Sequence, residues 1–303
     1  MTVHWTTADI PDQSGRVAVV SGANSGLGYQ VALGLAVAGA EVVLACRNGD
    51  KAKSAMASIL GVAPAATLSF IPLDLADLAS VASFATRFHS THDRLDLLIN
   101  NAGLMAVDQS RTADGFETQL GVNHLGHFAL TAHLLPTITS TPGARIASMS
   151  SLAHWTVRLD IEDLMFDRRH YGRWQAYGQS KLANLLFILE LQRRLTESGA
   201  AAIAVAAHPG VAHTNLGSDY LLSNWMMRVS VPFSRGSAAA GALPMLRAAT
   251  DPAVLGGQFY GPRWAFSGHP VLEIPSQQAR DDVAARALWD VSTELTHSAL
   301  LPT

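Results

Sequence analysis

The chain has 303 residues, of which 49% are hydrophobic, enough to build a large buried core. Its 21 Lys and Arg residues nearly balance its 24 Asp and Glu residues, and the net charge is −3. A chain with this balance has no basic field that gathers a nucleic acid backbone, so nucleic acid is excluded as a partner. Because the composition does not shift along the chain, we predict a single domain over residues 1–303.

Cys46 is the only cysteine in the sequence. It cannot form an internal disulfide bond or build a cysteine-based zinc site, and nothing indicates an oxidising compartment. The first residues show no basic segment followed by an apolar run, and no stretch of about 20 apolar residues occurs later. We expect a cytoplasmic protein without a membrane span, in which Cys46 is a small packing residue.

In chain order, short aliphatic runs alternate with longer segments of helical spacing, a pattern typical of a parallel sheet with crossover helices. Strands are predicted at residues 16–21, 41–46, 67–71, 95–100, 144–150 and 201–207. Helices are predicted at residues 26–38, 51–60, 78–89, 118–135 and 175–197, and near 277–295. The strands are almost continuously apolar, as expected when helices cover both faces, which predicts an α/β fold with a doubly wound parallel sheet.

A stripe of large apolar side chains lies in the carboxyl-terminal third, within residues 219–231. Its members recur at helical spacing and are Leu221, Leu222, Trp225, Met226 and Val229. Two interpretations stay open. Residues 215–235 form a lid over an apolar substrate, or the stripe belongs to an ordinary helix that packs on the core.

A glycine-rich turn joins the first predicted strand to the first predicted helix. Its sequence is Ser21-Gly22-Ala23-Asn24-Ser25-Gly26-Leu27-Gly28. Glycines let the backbone turn tightly and approach a ligand, and a helix N-terminus attracts anions, so this turn suits a pyrophosphate. Such motifs also occur as ordinary turns, but the position between strand and helix favours a dinucleotide site.

The second predicted strand ends at Cys46-Arg47. An NAD-specific site places a carboxylate near this point to bind the ribose 2′-hydroxyl, and none is present. A guanidinium pairs with a 2′-phosphate through forked, charge-assisted hydrogen bonds, so Arg47 predicts NADP(H) in preference to NAD(H). The alternative is a solvated surface arginine.

Tyr177 and Lys181 are four residues apart, which places them on one face of a helix. A neighbouring ammonium stabilises a phenolate, so we expect the pKa of Tyr177 to be lowered and its hydroxyl to exchange protons near neutral pH. Ser150 and Ser151 end the fifth predicted strand, where ligands bind in open α/β sheets. Ser151 is favoured for a catalytic role, and Ser150 remains the second candidate.

These motifs, in this order, resemble the short-chain dehydrogenase/reductase family from about Gly15 to Leu216, with a Rossmann fold. The resemblance implies a catalytic set of Asn123, Ser151, Tyr177 and Lys181. It also implies cofactor contacts from the whole glycine turn (Ser21, Gly22, Asn24, Ser25, Gly26, Leu27 and Gly28) and from Arg47, Asp74, Leu75, Asn101, Ala102, Gly103, Tyr177, Lys181, Pro209, Gly210, Val211 and Thr214. Among family branches, the segments at Cys46, Ser150 and His208 are most similar to retinol dehydrogenases and WW-domain oxidoreductases.

The resemblance implies a reaction as well. Tyr177 protonates a carbonyl oxygen as hydride arrives from the cofactor, or deprotonates the alcohol in reverse, and Ser151 orients that oxygen. Lys181 tunes Tyr177 and holds the nicotinamide ribose, and Asn123 supports a water that links Lys181 to solvent. The Leu, Trp and Met residues after Thr214 favour a moderately apolar alcohol or carbonyl compound as the small-molecule substrate. In this family helices equivalent to 118–135 and 175–197 pair across a two-fold axis, which implies a homodimer or homotetramer.

Other classes of function fit the sequence less well. His124 and His127 are three residues apart but lack the glutamate of a His-Glu-x-x-His motif, so we predict structural histidines and no metal site. No Gly-x-Ser-x-Gly elbow is present, which argues against a serine hydrolase. The remaining alternative is an NADPH-binding sensor or scaffold without turnover, a role that would not need all four residues of the catalytic set.

Overall fold

Strands β1 to β8 form one sheet in the computed structural model, which describes residues 4–210 and 237–298. They are β1 Val17–Ser21, β2 Glu41–Cys46, β3 Leu68–Pro72, β4 Leu97–Asn100, β5 Arg145–Met149, β6 Ile203–Ala207, β7 Phe259–Pro262 and β8 Pro270–Glu273. Their order across the sheet is β3-β2-β1-β4-β5-β6-β7-β8. Neighbouring strands from β3 to β7 are parallel, and β8 is antiparallel to β7.

The six predicted strands are confirmed, with ends that move by one or two residues. Every residue of β1 and β4 is buried, as is nearly every residue of β2, β5 and β6, which explains their continuous apolar pattern. The strand order reverses between β1 and β4. In a doubly wound sheet this reversal opens a crevice at the carboxyl ends of the strands, and ligands bind there.

The helices cover both faces of the sheet. They are α1 Gly26–Val37, α2 Gly49–Val62, α3 Leu78–His89, α4 Thr118–Leu120, α5 Gly126–Ser140, α6 Arg173–Glu197, α7 Ala238–Thr250 and α8 Asp282–Thr296. The helix predicted at 118–135 is interrupted by a π-helical turn, Gly121–Leu125, and continues to Ser140. Short 3₁₀ turns lie at Thr7–Asp9, Leu152–Thr156, Ile161–Asp163 and Gln278–Arg280.

The predicted set of strands was incomplete, because β7 and β8 were not predicted. Helix α7 was not predicted either. β7 has the sequence Phe-Tyr-Gly-Pro, and β8 begins with Pro270 and is only partly buried. Glycine and proline normally indicate a turn, and a half-buried edge strand has no continuous apolar run. Helix α7 contains Pro244, which also weakens its helical pattern. The last predicted helix is confirmed as α8, but it begins later, at Asp282.

Two hydrophobic cores lie on opposite faces of the sheet. One contains residues of α1 and α7, and the other contains residues of α3, α5, α6 and α8. In the second core the Trp289 ring of α8 lies 5.3 Å from the Phe128 ring of α5 and 6.0 Å from the Phe187 ring of α6. Helix α6 has only buried residues from Ala176 to Ile188. The chain's own α8 therefore covers part of the α5 and α6 surface on which pairing between subunits was predicted.

The predicted lid at 215–235 lies outside the described residues, as do Val211 and Thr214 of the predicted cofactor site. Among the helices that the structure describes, none combines the length and the hydropathy needed to cross a lipid bilayer.

Candidate active site

The glycine-rich turn lies where it was predicted, between the end of β1 and the start of α1. Gly22 and Gly26 have left-handed φ angles of 67° and 56°, which other residues rarely adopt. A Cβ atom at Gly28 would come within 2.4 Å of the Gly22 carbonyl oxygen, so only glycine fits there. A Cβ at Gly26 would meet nothing within 4 Å, and the turn therefore faces open space at the amino end of α1.

The other residues of the turn divide between the interior and the surface. Leu27 is buried, Asn24 is half-buried and Ser25, which precedes α1, is exposed. A cleft of about 430 Å³ opens beside the turn, and α2 forms its other side. Its lining includes Asn24, Ser25, Gly26, Lys51 and Ser54. Polar side chains and a lysine thus face the space beside the turn.

The buried Ser21 hydroxyl makes its hydrogen bonds inside the protein. It accepts from the backbone N–H groups of Asn101 and Ala102, at 2.9 and 3.0 Å. His127 Nε2 lies 2.8 Å from this hydroxyl, and His127 Nδ1 lies 3.0 Å from the Asn123 carbonyl oxygen. A carbonyl only accepts, so Nδ1 carries the proton and Ser21 donates to Nε2. Ser21 therefore connects the glycine turn to the loop after β4.

His127 is a site residue that the sequence did not reveal. It joins the Ser21 hydroxyl to the backbone of Asn123, and burial lowers its pKa to about 4, which keeps the ring neutral. The sequence signal was its spacing of four residues after Asn123, one helical turn. His124 is buried as well and lies 2.9 Å from the Ser292 hydroxyl of α8. Both histidines pack inside the protein, as predicted.

Asn123 lies in the π-helical turn and holds the loop after β4. Its Oδ1 accepts from the Leu104 backbone N–H at 2.7 Å, and its Nδ2 donates to the Leu104 carbonyl at 2.9 Å. A Cβ at Gly103 would lie 3.0 Å from Asn123 Oδ1 and 3.3 Å from Lys181 Nζ. Asn123, Gly103 and Lys181 therefore meet at one point. A π-helical turn shifts the side chains of a helix, and such turns are frequent at functional sites.

Two adjacent serines at the end of β5 have different partners. The Ser150 hydroxyl is buried and donates to the Lys181 carbonyl at 2.9 Å, so it fastens the strand end to α6. The Ser151 hydroxyl accepts from the Ala153 backbone N–H at 3.2 Å, and it lies near enough to Tyr177 to act to lower the pKa of that tyrosine. Ser151 is thus the serine whose side chain lies near Tyr177, and the Ser150 hydroxyl is used in the hydrogen bond to α6.

Tyr177 and Lys181 share one face of α6, and Lys181 Nζ lies 5.8 Å from the centre of the Tyr177 ring. The expected lowering of the Tyr177 pKa is wrong for this structure. Burial raises the pKa of Tyr177, and the nearby Ser151 side chain opposes that rise only in part. The Lys181 ammonium is itself buried and donates to the Met149 carbonyl at 3.2 Å, and burial lowers its pKa to about 8.

The predicted residues at the ends of β2 and β3 lie near the adenosine end of a bound dinucleotide in this fold. Arg47 directly follows β2 and is exposed. Asp74 is half-buried and accepts from the Ala76 backbone N–H at 3.0 Å, and Leu75 is buried. Cys46 is buried and burial raises its pKa to about 11, which agrees with a packing role rather than a reactive thiol.

Pro209 and Gly210 follow β6, at the same edge of the sheet as Ser151. Both are half-buried, and Gly210 has a left-handed φ angle of 69°. Its backbone N–H donates to Nδ1 of the buried His208 at 3.1 Å. The ends of β1, β4, β5 and β6 thus bring together the glycine turn, the Asn101 loop, Ser151 and the Pro209 turn.

The model of the short chain dehydrogenase family matches residues 16–222. The chain is 40% identical over 292 residues to Retinol dehydrogenase 12 of Mus musculus, a match that covers 96% of this chain and 88% of the relative. The chain therefore belongs to the short chain dehydrogenase family and is an oxidoreductase with a nucleotide-binding fold. Within the family it is similar to the retinol dehydrogenases, which confirms the resemblance drawn from its motifs.

Solved structures agree with this assignment. A crystal structure of an uncharacterized protein from Mycobacterium Paratuberculosis has 43% sequence identity and a TM-score of 0.84, over 99% of this chain and 100% of the other. A short chain dehydrogenase from Burkholderia cenocepacia J2315, in complex with NADP, has 22% identity and a TM-score of 0.66, over 82% and 97% of the two chains. The second similarity shows a common fold.

Proposed function

We propose that this chain is an NADP(H)-dependent oxidoreductase that interconverts an apolar alcohol and its aldehyde or ketone. The observation that carries the proposal is the position of Lys181 Nζ, 5.8 Å from the centre of the Tyr177 ring, with Ser151 near enough to influence the pKa of the same tyrosine. This cluster lies at the carboxyl edge of the sheet, next to the glycine turn. Two hydroxyl groups and an ammonium in this arrangement suit proton transfer to a substrate oxygen.

The proton chemistry belongs to Tyr177 and its neighbours. A raised pKa keeps Tyr177 protonated at neutral pH, so its hydroxyl is ready to donate to a carbonyl oxygen. Ser151 orients the same oxygen through its hydroxyl. Lys181, with a pKa of about 8, remains largely charged at neutral pH and stabilises the tyrosinate that donation leaves. Asn123 holds the Leu104 backbone beside Lys181 and thereby shapes the path to solvent.

The residues of the glycine turn fit a dinucleotide phosphate. Gly26 faces open space at the start of α1, and a backbone without Cβ atoms allows close approach. Gly22, Gly26 and Arg47 would hold the phosphates, and Lys181 the nicotinamide ribose. The bound nicotinamide supplies or accepts the hydride. The exposed guanidinium of Arg47, with no carboxylate at the end of β2, supports NADP(H) over NAD(H).

Two tryptophans support an apolar substrate. Trp174 is 48% exposed, and its ring lies edge-on 6.0 Å from the Tyr177 ring, so it offers an apolar surface beside the proposed acid. Trp155 is also exposed and lies in the 3₁₀ turn that follows Ser151. The similarity to proteins named retinol dehydrogenases adds retinal and other apolar aldehydes to the compounds worth testing.

Two further expectations are kept as proposals. A reducing cytoplasm is supported by the single, buried and internally unpaired Cys46. A homodimer or homotetramer would need a surface other than the part of α5 and α6 that α8 covers.

The experiment is NADPH oxidation with a panel of aldehydes and ketones, together with direct NADPH binding. We expect turnover in the parent and a loss of about 10²–10⁴-fold in kcat for Tyr177→Phe, with NADPH affinity nearly unchanged. Tyr260→Phe is the matched control, because the Tyr260 hydroxyl donates to Gln258 and has no proposed catalytic role. NADPH binding without turnover, insensitive to Tyr177→Phe, would instead identify a sensor or scaffold.

A further inference from the structure

Two buried histidines near the active site contact residues 273–276. This segment consists of the last residue of β8 and the three residues that follow it, and we name it the post-β8 segment. His208 follows β6, and its Nε2 lies 2.9 Å from the Glu273 carboxylate. His154 lies in the 3₁₀ turn after Ser151, and its Nε2 accepts from the Ser276 backbone N–H at 3.3 Å. Both histidines are completely buried. The proposed reaction uses neither ring, so their partners call for an explanation.

The hydrogen bonds of His208 define the position of its proton. Nδ1 accepts from the Gly210 backbone N–H at 3.1 Å, so this nitrogen carries no proton. Nε2 then carries it and donates to Glu273. Glu273 therefore selects the one neutral form of His208 that can accept from Gly210. Gly210 belongs to the Pro209-Gly210 turn and has a left-handed φ angle of 69°, and this hydrogen bond holds its backbone N–H.

His154 has the opposite proton arrangement and acts on Ser151. Its Nδ1 lies 2.6 Å from the Ser151 carbonyl oxygen and donates to it, whereas its Nε2 accepts from Ser276. Burial lowers the pKa of His154, which favours this neutral ring. The backbone of Ser151, whose side chain lies near Tyr177, is thus held by a histidine that the post-β8 segment orients.

Strand β7, which pairs with β8, leaves space for His208 and Glu273. A Cβ atom at Gly261 of β7 would come within 2.0 Å of His208 Nε2 and 2.5 Å of Glu273 Oε1. Phe259 of the same strand lies between the two histidines, with ring centres 5.6 Å from His154 and 5.3 Å from His208. The close packing restricts both rings to the observed orientations.

We propose that the post-β8 segment positions both sides of the active site: Glu273 acts through His208 on the Pro209-Gly210 turn, and Ser276 acts through His154 on Ser151. The proposal rests on the proposed function, because it takes from the resemblance that the Pro209-Gly210 turn contacts the cofactor. These four are positioning residues and touch neither substrate nor cofactor. The two arms have different consequences: the His208 arm sets cofactor affinity, and the His154 arm sets the rate of the chemical step.

The His208 arm is tested with two variants that each keep one half of the ring's hydrogen bonding. In His208→Asn the side-chain oxygen replaces Nδ1 and can accept from Gly210, but the amide does not reach Glu273. In His208→Gln the longer amide reaches Glu273, and the acceptor for Gly210 is lost. We expect NADPH to bind about tenfold more weakly to His208→Gln than to His208→Asn, the effect of one hydrogen bond.

The measurement is the NADPH dissociation constant from the fluorescence of the bound cofactor, with the thermal midpoint of each variant. Equal dissociation constants for the two variants would overturn the His208 arm. If both variants misfold, the partly exposed Glu273 provides a second pair: Glu273→Ala should weaken NADPH binding severalfold, and Glu273→Gln, which keeps an acceptor, should restore it. Equal binding by these two variants would overturn the arm as well.

A second histidine–glutamate pair serves as the matched control. His92 Nε2 lies 3.2 Å from Glu41 Oε1, at the amino end of β2 and therefore at the opposite edge of the sheet. His92→Gln should leave NADPH affinity and kcat at parent values. A parent that neither binds NADPH nor reduces any carbonyl would contradict the proposed function itself, whereas an active parent with unresponsive His208 variants contradicts only the positioning role.

The His154 arm is tested by the division between kcat and KM. His154→Asn keeps a donor to the Ser151 carbonyl, and His154→Gln loses it while keeping the reach toward Ser276. We expect kcat of His154→Gln to fall about tenfold below that of His154→Asn, with the KM for NADPH equal in both. A purely structural role would lower the thermal midpoint without this division. Equal kcat values in the two variants would overturn the arm.

Discussion

In the amino-terminal part of the sheet, β1, β2, β4 and β5 are almost completely buried, and the loops after β1, β4 and β5 carry the glycine turn, the Asn101 loop and Ser151. In the carboxyl-terminal part, β7 and β8 are short strands with glycine and proline, and α8 lies across α5 and α6. The first part holds groups that would contact a cofactor and substrate. The second holds residues that support the site from a distance: Glu273 contacts His208, and Trp289 packs against Phe128 and Phe187.

This difference teaches that the site depends on two kinds of interaction. In the amino-terminal part, the local backbone conformation shapes the glycine turn, as at Gly22 and Gly28. In the carboxyl-terminal part, contacts join residues far apart in sequence, such as His208 to Glu273 and His124 to Ser292. Variants in the first part should therefore change kcat more than the free energy of unfolding. Variants in the second part should change the free energy of unfolding more, or should change activity only through the residues that they contact.

The largest effect on the chemistry is expected for Lys181→Met, which removes the buried ammonium beside Tyr177. We expect kcat to fall about 10²–10⁴-fold, because the tyrosinate left by proton donation loses its ammonium. The measurement is steady-state NADPH oxidation. Lys51→Met, an exposed lysine beside the cleft, is the control that removes a charge outside the Tyr177 cluster and should keep kcat.

The buried Lys181 should also make the stability of the parent depend on pH, and Lys181→Met should remove this contribution. Burial lowers the pKa of Lys181 from 10.5 to about 8, so between these values the unfolded chain binds more protons than the folded chain. The contribution of Lys181 to the free energy of unfolding therefore rises with pH across this window. Urea unfolding at pH 7, 8.5 and 10 should show a steeper rise in the parent than in Lys181→Met. Identical pH dependence would contradict the burial of the ammonium.

The next effect concerns the carboxyl-terminal part and should affect stability. Trp289 is 4% exposed and packs against Phe128, Phe187 and the guanidinium of Arg194, 4.5 Å from its ring. Trp289→Ala should lower the free energy of unfolding by about 3–5 kcal/mol. Urea unfolding measures this loss, and Val283→Ala, at a 71% exposed position of the same helix, should change it little.

Light scattering on the same pair tests the predicted oligomer. If α8 covers the α5 and α6 surface in solution, any oligomer must use another surface. The particle mass should then be the same for the parent and for Val283→Ala. A dimer that forms only after Trp289→Ala would show that α8 occupies a surface capable of pairing. A parent dimer that pairs through α5 and α6 with α8 displaced would contradict the packing of Trp289.

The sequence was informative where the interactions are local. The six predicted strands, the turn at Gly22 and the pairing of Tyr177 with Lys181 follow from periodicity or from spacing within one element. The sequence was misleading where a property depends on residues from distant parts of the chain. The pKa of Tyr177 is raised by burial, and burial depends on the packing of other elements around α6. The edge strands β7 and β8 also depend on the sheet that they join.

The smallest of the expected effects is the contribution of Arg47 to cofactor preference, measured as the ratio of NADH to NADPH dissociation constants. Arg47 is exposed, and an exposed guanidinium contributes modestly, so we expect NADPH to bind about 10- to 100-fold more tightly than NADH. Arg47→Asp should reverse this order, because a carboxylate repels a 2′-phosphate and accepts from a 2′-hydroxyl. The measurement is the dissociation constant of each nucleotide at two salt concentrations.

A charge-matched control separates a local contact from a general field. Lys53→Asp makes the same change in net charge on the exposed surface of α2, and NADPH should still bind more tightly than NADH to this variant. Only a group within hydrogen-bonding distance of the 2′ position can invert the preference, since a distant charge is screened over about 10 Å at moderate salt. Equal affinities for the two nucleotides in the parent would remove Arg47 from the cofactor site and leave the Tyr177 cluster untouched.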